Sequence, residues 1–334
     1  MNKVLSISIA AYNAENDIKK CLDSLLKCKC FDNLDIIVVN DGSKDGTKQV
    51  AEQYESKYPQ SIRVVNKENG GHGSTINTSI KNAVGKYYKI LDSDDWVSSD
   101  GLDHLVEFLN SHDVDMVLNQ YEEVDYNDHS KKKLMDPNQD GIPNNVVHQV
   151  GELTKDTVLF MHSLTFSTKV MQDMGSIIDE HCFYVDMEYC IFPLIHVKSF
   201  AYLDFPVYEY LLGSATQSMN MQILINRRDQ HLKVIKRIIS FYEEHSSTII
   251  ESIRDIIALR IKYAVYQQYL IYLHMKPKES KSEVVAFDHW LSAKPDEIYQ
   301  GPQGHVMKYI KMNRGTHFFF YTLLTTIAQK VKII

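Results

Sequence analysis

Long apolar runs are missing from this sequence, and with them the simplest signs of an integral membrane or exported protein. No run approaches the ~20 apolar residues that span a bilayer. The N-terminal stretch MNKVLSISIAAYN passes directly into a strand pattern, without the longer apolar segment of a signal peptide. We therefore expect a protein that stays in the cytoplasm.

Cysteine is scarce as well: the 334 residues include five, an odd number without the spacing of a disulfide framework. Cys28 and Cys30 are separated by one residue, and no second Cys or His pair stands at the spacing of a zinc site. We expect reduced thiols, and not metal ligands, at all five positions: Cys21, Cys28, Cys30, Cys182 and Cys190.

An excess of basic residues is also absent. The chain has 36 Lys and Arg against 43 Asp and Glu, a net charge of −7, which argues against a general attraction to nucleic acid. Residues 305–334 are the exception, with five Lys or Arg and no acid. The length of 334 residues corresponds to roughly two domains.

Strand and helix patterns alternate over the first 120 residues. The second strand segment, LDIIVVND, is continuously apolar in its middle, as is typical of strands that are buried on both faces. This order predicts an α/β fold, a mostly parallel sheet with helices on both faces. The strand patterns cover residues 4–10, 34–41, 61–66, 86–91 and 114–119.

The rest of the chain is less regular. Residues 122–150 are polar and rich in turn formers, which predicts a surface segment. Strand patterns return in FAYLDF and VYEYLL, and long amphipathic helix patterns begin near residue 223. We therefore expect a second, helical region after the α/β domain.

Polar clusters follow four of the strand patterns: AYNAEN, NDGSKDGT, NKENGGHGS and DSDDW. Ligands of parallel α/β sheets bind beyond the carboxyl ends of the strands, so these clusters indicate a site. The three carboxylates of DSDDW suit Mg²⁺ or Mn²⁺, which prefer oxygen ligands and often retain a substrate phosphate. A capped turn is the alternative interpretation of the same residues.

Three further positions are candidates for ligand contact. Asp41 follows a strand beside a glycine turn and could accept from a base N–H or a ribose hydroxyl, or could belong to a plain turn. Tyr12 and Asn13 could stack on or hydrogen-bond a base, or could be a buried ring beside a turn. His72 lies near the same edge, although a lone His is more often structural.

Four segments carry a family resemblance in order and spacing. They are SISIAAYNAENDIKKCLDSLL, DIIVVNDGSKDGT, NGGHGSTINTSIKNAVGKYYKILDSDDW and YVDMEYCIFPL. Together they resemble the bacterial nucleotide-diphospho-sugar glycosyltransferases of family 2, which have the GT-A fold. The resemblance covers residues 3 to about 218. It implies a catalytic domain at 1–218 and a helical domain at 219–334 for oligomerisation, acceptor contact or contact with a membrane surface.

The resemblance also implies roles for single residues. Asp186 matches the catalytic carboxylate, and Asp94 or Asp95 matches the metal ligand of the acidic motif. Asp41 matches the carboxylate that reads the uracil or ribose. The positions that match donor-binding residues are Ala11, Tyr12, Asn13, Asp41, Asp92, Ser93 and Asp94.

Two positions depart from the family pattern. Val185 stands before Asp186, where the family commonly has Glu, and Thr75-Ile76-Asn77 lacks an Arg that the family often carries. Both departures bear on the identity of the donor or acceptor. The segment Gly213, Ser214, Thr216, Gln217 and Ser218 matches a loop that closes over the donor, or serves as a linker.

The resemblance implies an inverting transfer from a UDP-sugar to a hydroxyl of a glycan, with Mn²⁺ or Mg²⁺ and with Asp186 as general base. The acceptor would be a cell-surface polysaccharide, a teichoic acid or the glycan of a glycoprotein. One alternative is a non-catalytic partner that binds sugar nucleotide or glycan. A sugar-nucleotide pyrophosphorylase is another, but AAYNAEN lacks the glycine and basic residues that grip a triphosphate.

The C-terminal stretch THFFFYTLLTTIAQKVKII raises a separate question. Its Phe residues and basic flanks suit an interfacial helix on the inner face of an anionic membrane. A buried helix or a subunit interface is the alternative, and we expect this second outcome because the preceding amphipathic helices also need a partner surface.

Overall fold

The structure is a computed structural model that describes residues 3–139, 141–213 and 217–330. The chain folds into two compact units, Met1–Ser214 and Ala215–Ile334. The first unit contains the sheet, and the described part of the second consists of helices and their connections. The functions assigned to the two domains stay predictions.

Ten strands of the first unit form one sheet in the order β3-β2-β1-β4-β9-β6-β10-β5, with β7 paired to β6 and β8 to β10. They are β1 Leu5–Ala11, β2 Leu34–Asp41, β3 Ile62–Lys67, β4 Tyr87–Asp92, β5 Trp96–Val97, β6 Met116–Asp125, β7 Lys131–Met135, β8 Val147–Gln149, β9 Leu164–Ser167 and β10 Ser199–Leu212.

The helices of this unit follow the strands as the alternating pattern predicts. They are α1 Ile18–Leu26, α2 Thr47–Lys57, α3 His72–Asn82, α4 Ser99–Ser111, α5 Thr168–Met174 and α6 Asp186–Ile191. The pairs β3–β2, β2–β1, β1–β4 and β6–β10 are parallel, whereas β9 is antiparallel to β4 and β6. The predicted α/β fold with a mostly parallel sheet is confirmed.

Burial explains the continuous apolar stretch of strand β2. All eight residues of β2 are buried, including the apolar Ile36–Val39 stretch, so neither face of this strand meets water. A strand covered on both faces does not show the polar alternation of a half-exposed strand. Ser98 begins α4 as its N-cap, with its side chain accepting from Gly101 N, and thereby sets the chain direction after DSDDW.

The segment 122–150 contains more regular structure than the sequence indicated. β6 continues to Asp125, and the exposed stretch Lys131–Met135 pairs with it as the antiparallel strand β7. Lysines on an exposed edge strand discourage pairing with another chain. The two strand patterns FAYLDF and VYEYLL are one long strand, β10, whose register with β6 shifts around Pro206.

The second unit has seven described helices: α7 Met221–Asn226, α8 Arg228–His245, α9 Glu251–His274, α10 Pro277–Leu291, α11 Asp296–Tyr299, α12 His305–Gly315 and α13 Tyr321–Lys330. The 24-residue α9 is central and contacts α7, α8, α10, α11 and α12. Within the described ranges, no helix has the length and apolar character needed to cross a membrane.

Helix α13 is partly buried and partly exposed. It packs on α10 through a face that includes the buried Tyr321, Thr325 and Ala328. Leu323 and Ile327 on another face are 60% and 49% exposed. We call these two residues and the preceding Phe319 and Phe320, which are 74% and 47% exposed, the α13 apolar face.

Candidate active site

The carboxyl ends of β1, β2 and β4 lie side by side at one edge of the sheet. β1 pairs in parallel with both neighbours, and the register places Ala11 beside Asn40 and Ala10 beside Asp92. The polar segments that follow these three strands therefore meet. This edge is where a parallel α/β sheet binds its ligands.

A cavity of about 460 Å³ opens at this edge, a volume typical of small-molecule sites. Ala11, Tyr12 and Asp41 line it from the ends of β1 and β2, and His72 and Phe183 belong to its other walls. The residues Tyr12 and Phe183 are 49% and 43% exposed. Exposed aromatic rings beside a cavity offer stacking surfaces to a nucleotide base.

Asn13 fixes the loop that leaves β1. Its backbone has a φ of 51°, in the left-handed region that Asn tolerates better than most residues. Its N–H donates to Ser43 Oγ at 3.0 Å, and its side-chain oxygen accepts from Lys44 N at 2.9 Å. The loops after β1 and β2 are thereby joined, which holds the neighbouring Tyr12 at the cavity.

The Asp41 carboxylate is buried and fully engaged with its neighbours. Oδ1 accepts from Lys67 Nζ at 2.7 Å and Gly70 N at 2.9 Å, and Oδ2 accepts from Gly71 N at 2.8 Å and Asn69 Nδ2 at 3.0 Å. These four donors match the roughly four acceptor sites of a carboxylate. Asp41 thus holds the turn at the cavity wall, and its contact with uracil or ribose stays a prediction.

Asp92, Asp94 and Asp95, which we call the acidic cluster, follow β4 at the same edge. Asp95 is buried, and its two oxygens accept from Tyr208 O–H at 2.5 Å and Leu211 N at 2.7 Å. Burial, together with the negative charges of Asp94 and Asp92, raises the pKa of Asp95 well above its usual value. Asp95 is therefore the member of the cluster most firmly attached to the sheet.

Asp94 is the exposed member of the cluster. Displacement of water by the surrounding cleft, and then repulsion from Asp92, raise the pKa of Asp94 to about 6. Burial alone would raise the pKa of Asp92, but His72 Nε2, 3.4 Å from Asp92 Oδ1, outweighs it and lowers that pKa. Ser93, between the two carboxylates, is buried.

Asp186 begins helix α6, and its side chain is exposed. Its negative charge contributes to raising the pKa values of His72 and Tyr210, which places it by the same cleft as the acidic cluster. Tyr184, two residues earlier, has a φ of 68°, and Val185 is fully buried. Val185, the N-cap residue of α6, therefore lies in the interior, whereas Asp186 faces solvent.

Sequence reasoning missed a polar layer beneath the acidic cluster. Lys89 is buried in β4 and donates from Nζ to the carbonyls of His162 at 2.8 Å and Leu164 at 3.1 Å. Burial lowers the pKa of Lys89 to about 7 and that of His162 to about 4. Ligand atoms of Asp92, Asp95 and His162 lie within 4.8 Å of one another. The sequence signal that could have revealed this layer is the lysine inside the apolar run YYKIL.

The departure from the family pattern at Thr75-Ile76-Asn77 lies in helix α3, beside the cavity. Thr75, in the helix where the family often has Arg, lies in the cavity wall. Asn77 exchanges hydrogen bonds with the backbone of Ile178, donating to its carbonyl at 2.8 Å and accepting from its N–H at 3.2 Å. Gly73 must be glycine, because a Cβ there would lie 2.0 Å from Asp179 O. α3 is thus fastened to the segment before α6.

The loop expected to close over the donor is only partly covered by the structure. Ser214 and Thr216 lie outside the described residues. Gly213, with a φ of 110°, ends the first part, and Gln217 and Ser218 begin the next. Closure of this loop stays a prediction.

The acidic cluster suits a hard divalent cation. Asp94 offers exposed carboxylate oxygens, and within the described ranges no Lys or Arg forms an ion pair with any member of the cluster. The raised pKa of Asp94 reports, in part, the repulsion from Asp92 that a bound cation would relieve. Oxygen ligands of this kind favour Mg²⁺ or Mn²⁺ over softer metals.

Comparison with known families gives one clear assignment. The sequence profile of glycosyl transferase family 2 matches residues 6–174, which is half of the chain. The match includes β1 to β4 and the acidic cluster, and it ends before Asp186.

Curated relatives match over a shorter segment. An uncharacterized glycosyltransferase of Rickettsia prowazekii is 40% identical over 129 residues, 38% of this chain and 39% of that protein. EpsJ of Bacillus subtilis, also an uncharacterized glycosyltransferase, is 40% identical over 117 residues, 35% of this chain and 33% of that protein. Glycosyltransferase GlyA of Streptococcus pneumoniae is 32% identical over 117 residues, 35% of this chain and 16% of that protein. The alignments thus span well under half the length of these relatives.

Solved structures match over more of the chain. TarS residues 1–349 of S. aureus has a TM-score of 0.61 at 18% identity, covering 88% of this chain and 82% of that one. TarS has also been solved with UDP-GlcNAc and with UDP. The mannosyltransferase PcManGT of Pyrobaculum calidifontis, in complex with GDP-Man and Mn²⁺, has a TM-score of 0.50 at 14% identity, covering 99% and 87%. At such identities the likeness shows the fold, and the predicted GT-A fold followed by helices is confirmed.

Proposed function

Because the chain belongs to glycosyl transferase family 2, we propose that it transfers one sugar from a UDP-sugar to a hydroxyl of a glycan acceptor, with inversion at the anomeric carbon. One observation carries this proposal. The acidic cluster, the exposed Asp186 and the exposed ring of Tyr12 converge on one cleft at the carboxyl edge of the sheet.

UDP is the nucleotide that the proposal assigns to the donor. TarS, which shares the fold, binds UDP-GlcNAc and UDP, whereas PcManGT binds GDP-Man. The higher TM-score of TarS favours the uridine nucleotide. In the proposed complex the uracil stacks on Tyr12 and lies along Ala11 and Asn13, at the cavity of about 460 Å³.

Asp94 is the metal ligand that we propose from the acidic cluster. Its side chain is exposed, whereas both oxygens of Asp95 already accept hydrogen bonds from Tyr208 and Leu211. Asp95 would then orient the turn that presents Asp94. A bound Mn²⁺ or Mg²⁺ would supply Lewis-acid stabilisation to the negative charge that develops on the departing diphosphate.

Asp186 is the general base of the proposed reaction. An ionised carboxylate can take the proton of the acceptor hydroxyl while the hydroxyl oxygen bonds to the anomeric carbon. The bond from that carbon to the diphosphate oxygen breaks in the same displacement, and UDP leaves with the electron pair. Inversion follows because attack and departure occur on opposite faces of the sugar.

We propose the acceptor by its chemical class: it is the hydroxyl of a cell-surface polysaccharide, a teichoic acid or the glycan of a glycoprotein. Val185 and the missing Arg near Thr75 are the features that bear on its identity, and both lie at or next to the cleft. A non-catalytic partner that binds sugar nucleotide is the alternative, because the same two departures could reflect lost activity. The absence of glycine and basic residues in AAYNAEN disfavours a pyrophosphorylase.

Release of UDP from a donor panel tests the proposal. UDP-glucose, UDP-galactose and their N-acetyl forms are incubated with the protein and Mn²⁺, with chelator in parallel. The proposal expects UDP above background from at least one donor, and expects chelator to abolish it. A scaffold protein would release none, and metal-independent release would remove the role assigned to Asp94.

The α13 apolar face is a candidate contact surface for a partner. Its four apolar side chains lie in a segment that has no acid after residue 304, and Lys281 Nζ lies 3.4 Å from Phe319 O. Apolar side chains with nearby cations suit an anionic membrane surface, whereas two such faces would repel each other through their charge. Because these four side chains are exposed, we propose peripheral membrane contact in place of the buried helix or subunit interface expected from the sequence, with pairing of two copies as the alternative; cytoplasmic localisation stays a prediction.

A further inference from the structure

A second cluster of possible metal ligands lies in the first unit, outside the cleft. The thiols of Cys28 and Cys30 and the carboxylate of Asp103 place their ligand atoms within 4.8 Å of one another. The two cysteines lie in the turn after α1 and are 5% and 8% exposed. Asp103 comes from the first turns of α4, so the third ligand candidate is remote in sequence.

Backbone hydrogen bonds hold these groups together. Asp103 accepts from Cys30 N at 2.8 Å and from Lys29 N at 3.2 Å, one bond to each oxygen, which leaves each oxygen a further acceptor site. The thiols have weaker contacts: Cys28 Sγ lies 3.5 Å from Ser24 O, and Cys30 Sγ lies 3.9 Å from Leu102 O. The turn is therefore fixed by the carboxylate, while the sulfurs remain able to exchange their protons for a metal.

The separations of the three ligand atoms are within reach of those in a tetrahedral zinc site. Zn–S distances of about 2.3 Å put two sulfur ligands roughly 3.8 Å apart, and Zn–O distances are about 2.0–2.2 Å. Ligand atoms already within 4.8 Å need shifts of about 1 Å or less to reach these values. A cavity of about 430 Å³ borders Cys30, Asp103 and His104, and gives water access to a fourth position.

Contrary to the expectation from the sequence, which lacked the remote ligand, we propose that Cys28, Cys30 and Asp103 bind a thiophilic divalent cation such as Zn²⁺, with a water as the fourth ligand. Each thiol would lose its proton on binding, because the thiolate is the ligand form. The ion would join the turn after α1 to α4. Thiolate ligands exclude Mg²⁺ and Mn²⁺ in favour of softer metals, so this site and the acidic cluster would select different ions.

Cobalt titration of the reduced full-length protein tests the proposal, since Co²⁺ bound by thiolate gives a sulfur-to-metal charge-transfer band. We expect the band to saturate at one Co²⁺ per chain, to vanish when Zn²⁺ is added, and to resist excess Mg²⁺. Cys28→Ala and Cys30→Ala should each lose the band, and Cys190→Ala, which removes a buried thiol elsewhere, should keep it. A wild type without the band, or a band that survives both substitutions, would overturn the proposal.

A second measurement needs no variant and covers a failure of the substituted proteins to fold. The reduced wild type is alkylated with and without one equivalent of Zn²⁺, and the labelled cysteines are identified by mass spectrometry. We expect Zn²⁺ to slow the labelling of Cys28 and Cys30 at least roughly tenfold and Mn²⁺ to leave it unchanged. Equal labelling with and without Zn²⁺ would contradict the site.

Discussion

A buried carboxylate of the helical unit, Asp288, and the acidic cluster of the first unit differ in how their negative charge is balanced. In the helical unit, Asp288 is 2.7 Å from Arg314 Nε and accepts from Tyr269 O–H at 2.6 Å. In the first unit, the ion pair of the acidic cluster among the described residues is the one between His72 and Asp92. The protein itself neutralises Asp288, whereas the acidic cluster retains unbalanced charge.

This difference separates a stabilising site from a ligand site. A charge taken out of water costs several kcal/mol unless a partner compensates it. Asp288 has such a partner within its own unit, so its role is complete without a ligand. The acidic cluster lacks a full set of partners, and a cation with a diphosphate would supply the missing charge balance.

Substitution of Asp186 tests the catalytic role of the ligand site, and we expect it to have the largest effect of the variants considered. Asp186→Asn should retain UDP binding and lose transfer by roughly 10²- to 10⁴-fold, because the amide keeps the shape of the carboxylate and cannot accept the proton. Steady-state transfer assays and calorimetry with UDP check the two parts. Near-normal turnover by a folded variant would show that another group is the base.

Removal of Arg314 tests whether its ion pair with Asp288 stabilises the helical unit. Arg314→Met leaves Asp288 with an uncompensated buried charge, and we expect a loss of about 3 kcal/mol in the free energy of unfolding, measured by urea denaturation. Addition of Asp288→Asn should recover part of that loss. Donor binding below the unfolding range should match the wild type; a stable Arg314→Met protein would contradict the role assigned to the pair.

Neutralisation of Asp94 gives a smaller effect with a pH signature. With a pKa raised to about 6, the folded protein binds more protons at Asp94 than the unfolded chain between about pH 4 and 6. Stability from this group is therefore lost as pH rises through that window. Metal-free Asp94→Asn should melt like the wild type at pH 4 and at a higher temperature at pH 7.

Exposed Asp156 provides the matched control for this melting comparison. Asp156→Asn, which removes a carboxylate outside the acidic cluster, should gain as much melting temperature from Mn²⁺ as the wild type does. Addition of Mn²⁺ at pH 7 should reverse the order, because the wild type regains more stability from the cation than Asp94→Asn does. A wild type that Mn²⁺ does not stabilise would argue against the charge imbalance.

The α13 apolar face gives the smallest expected effect on stability. Leu323→Glu should change the free energy of unfolding by no more than about 0.5 kcal/mol, as is usual for exposed positions, and should abolish flotation with anionic vesicles. Tyr263→Glu, at another exposed position of the helical unit, should float like the wild type. Light scattering that shows a dimer lost in Leu323→Glu, without vesicle binding, would favour pairing of two copies.

Local patterns predicted the strands of the first half of the sheet and the edge where the polar clusters meet. Short runs rich in apolar and β-branched residues identified β1 to β4, and the polar residues after them had to meet because parallel strands end at one edge. Asp94 stood out because a group of carboxylates followed an apolar strand pattern, whereas Asp186 was identified through the family resemblance of the segment YVDMEYCIFPL. These features depend on neighbours in sequence.

Long-range contacts account for what the sequence did not reveal. The four donors to Asp41 come from residues 26 to 30 positions away, and Asp95 is held by residues more than 110 positions away. No local pattern reports such pairings. The same holds for Cys28 and Cys30, whose proposed partner Asp103 lies 73 residues beyond Cys30 in the sequence. The buried Lys89 gave a local signal, but its carbonyl partners are remote.

Calorimetric titration of UDP, with and without Mn²⁺, tests most directly whether the acidic cluster needs a cation and a diphosphate. The account predicts that wild-type protein binds UDP with Mn²⁺ and far more weakly with chelator. Asp94→Ala and Asp95→Ala should each weaken the Mn²⁺-dependent binding by at least roughly tenfold. Arg314→Met should leave it unchanged. Equal UDP affinity with and without Mn²⁺, or unaltered affinity in both aspartate variants, would contradict the account.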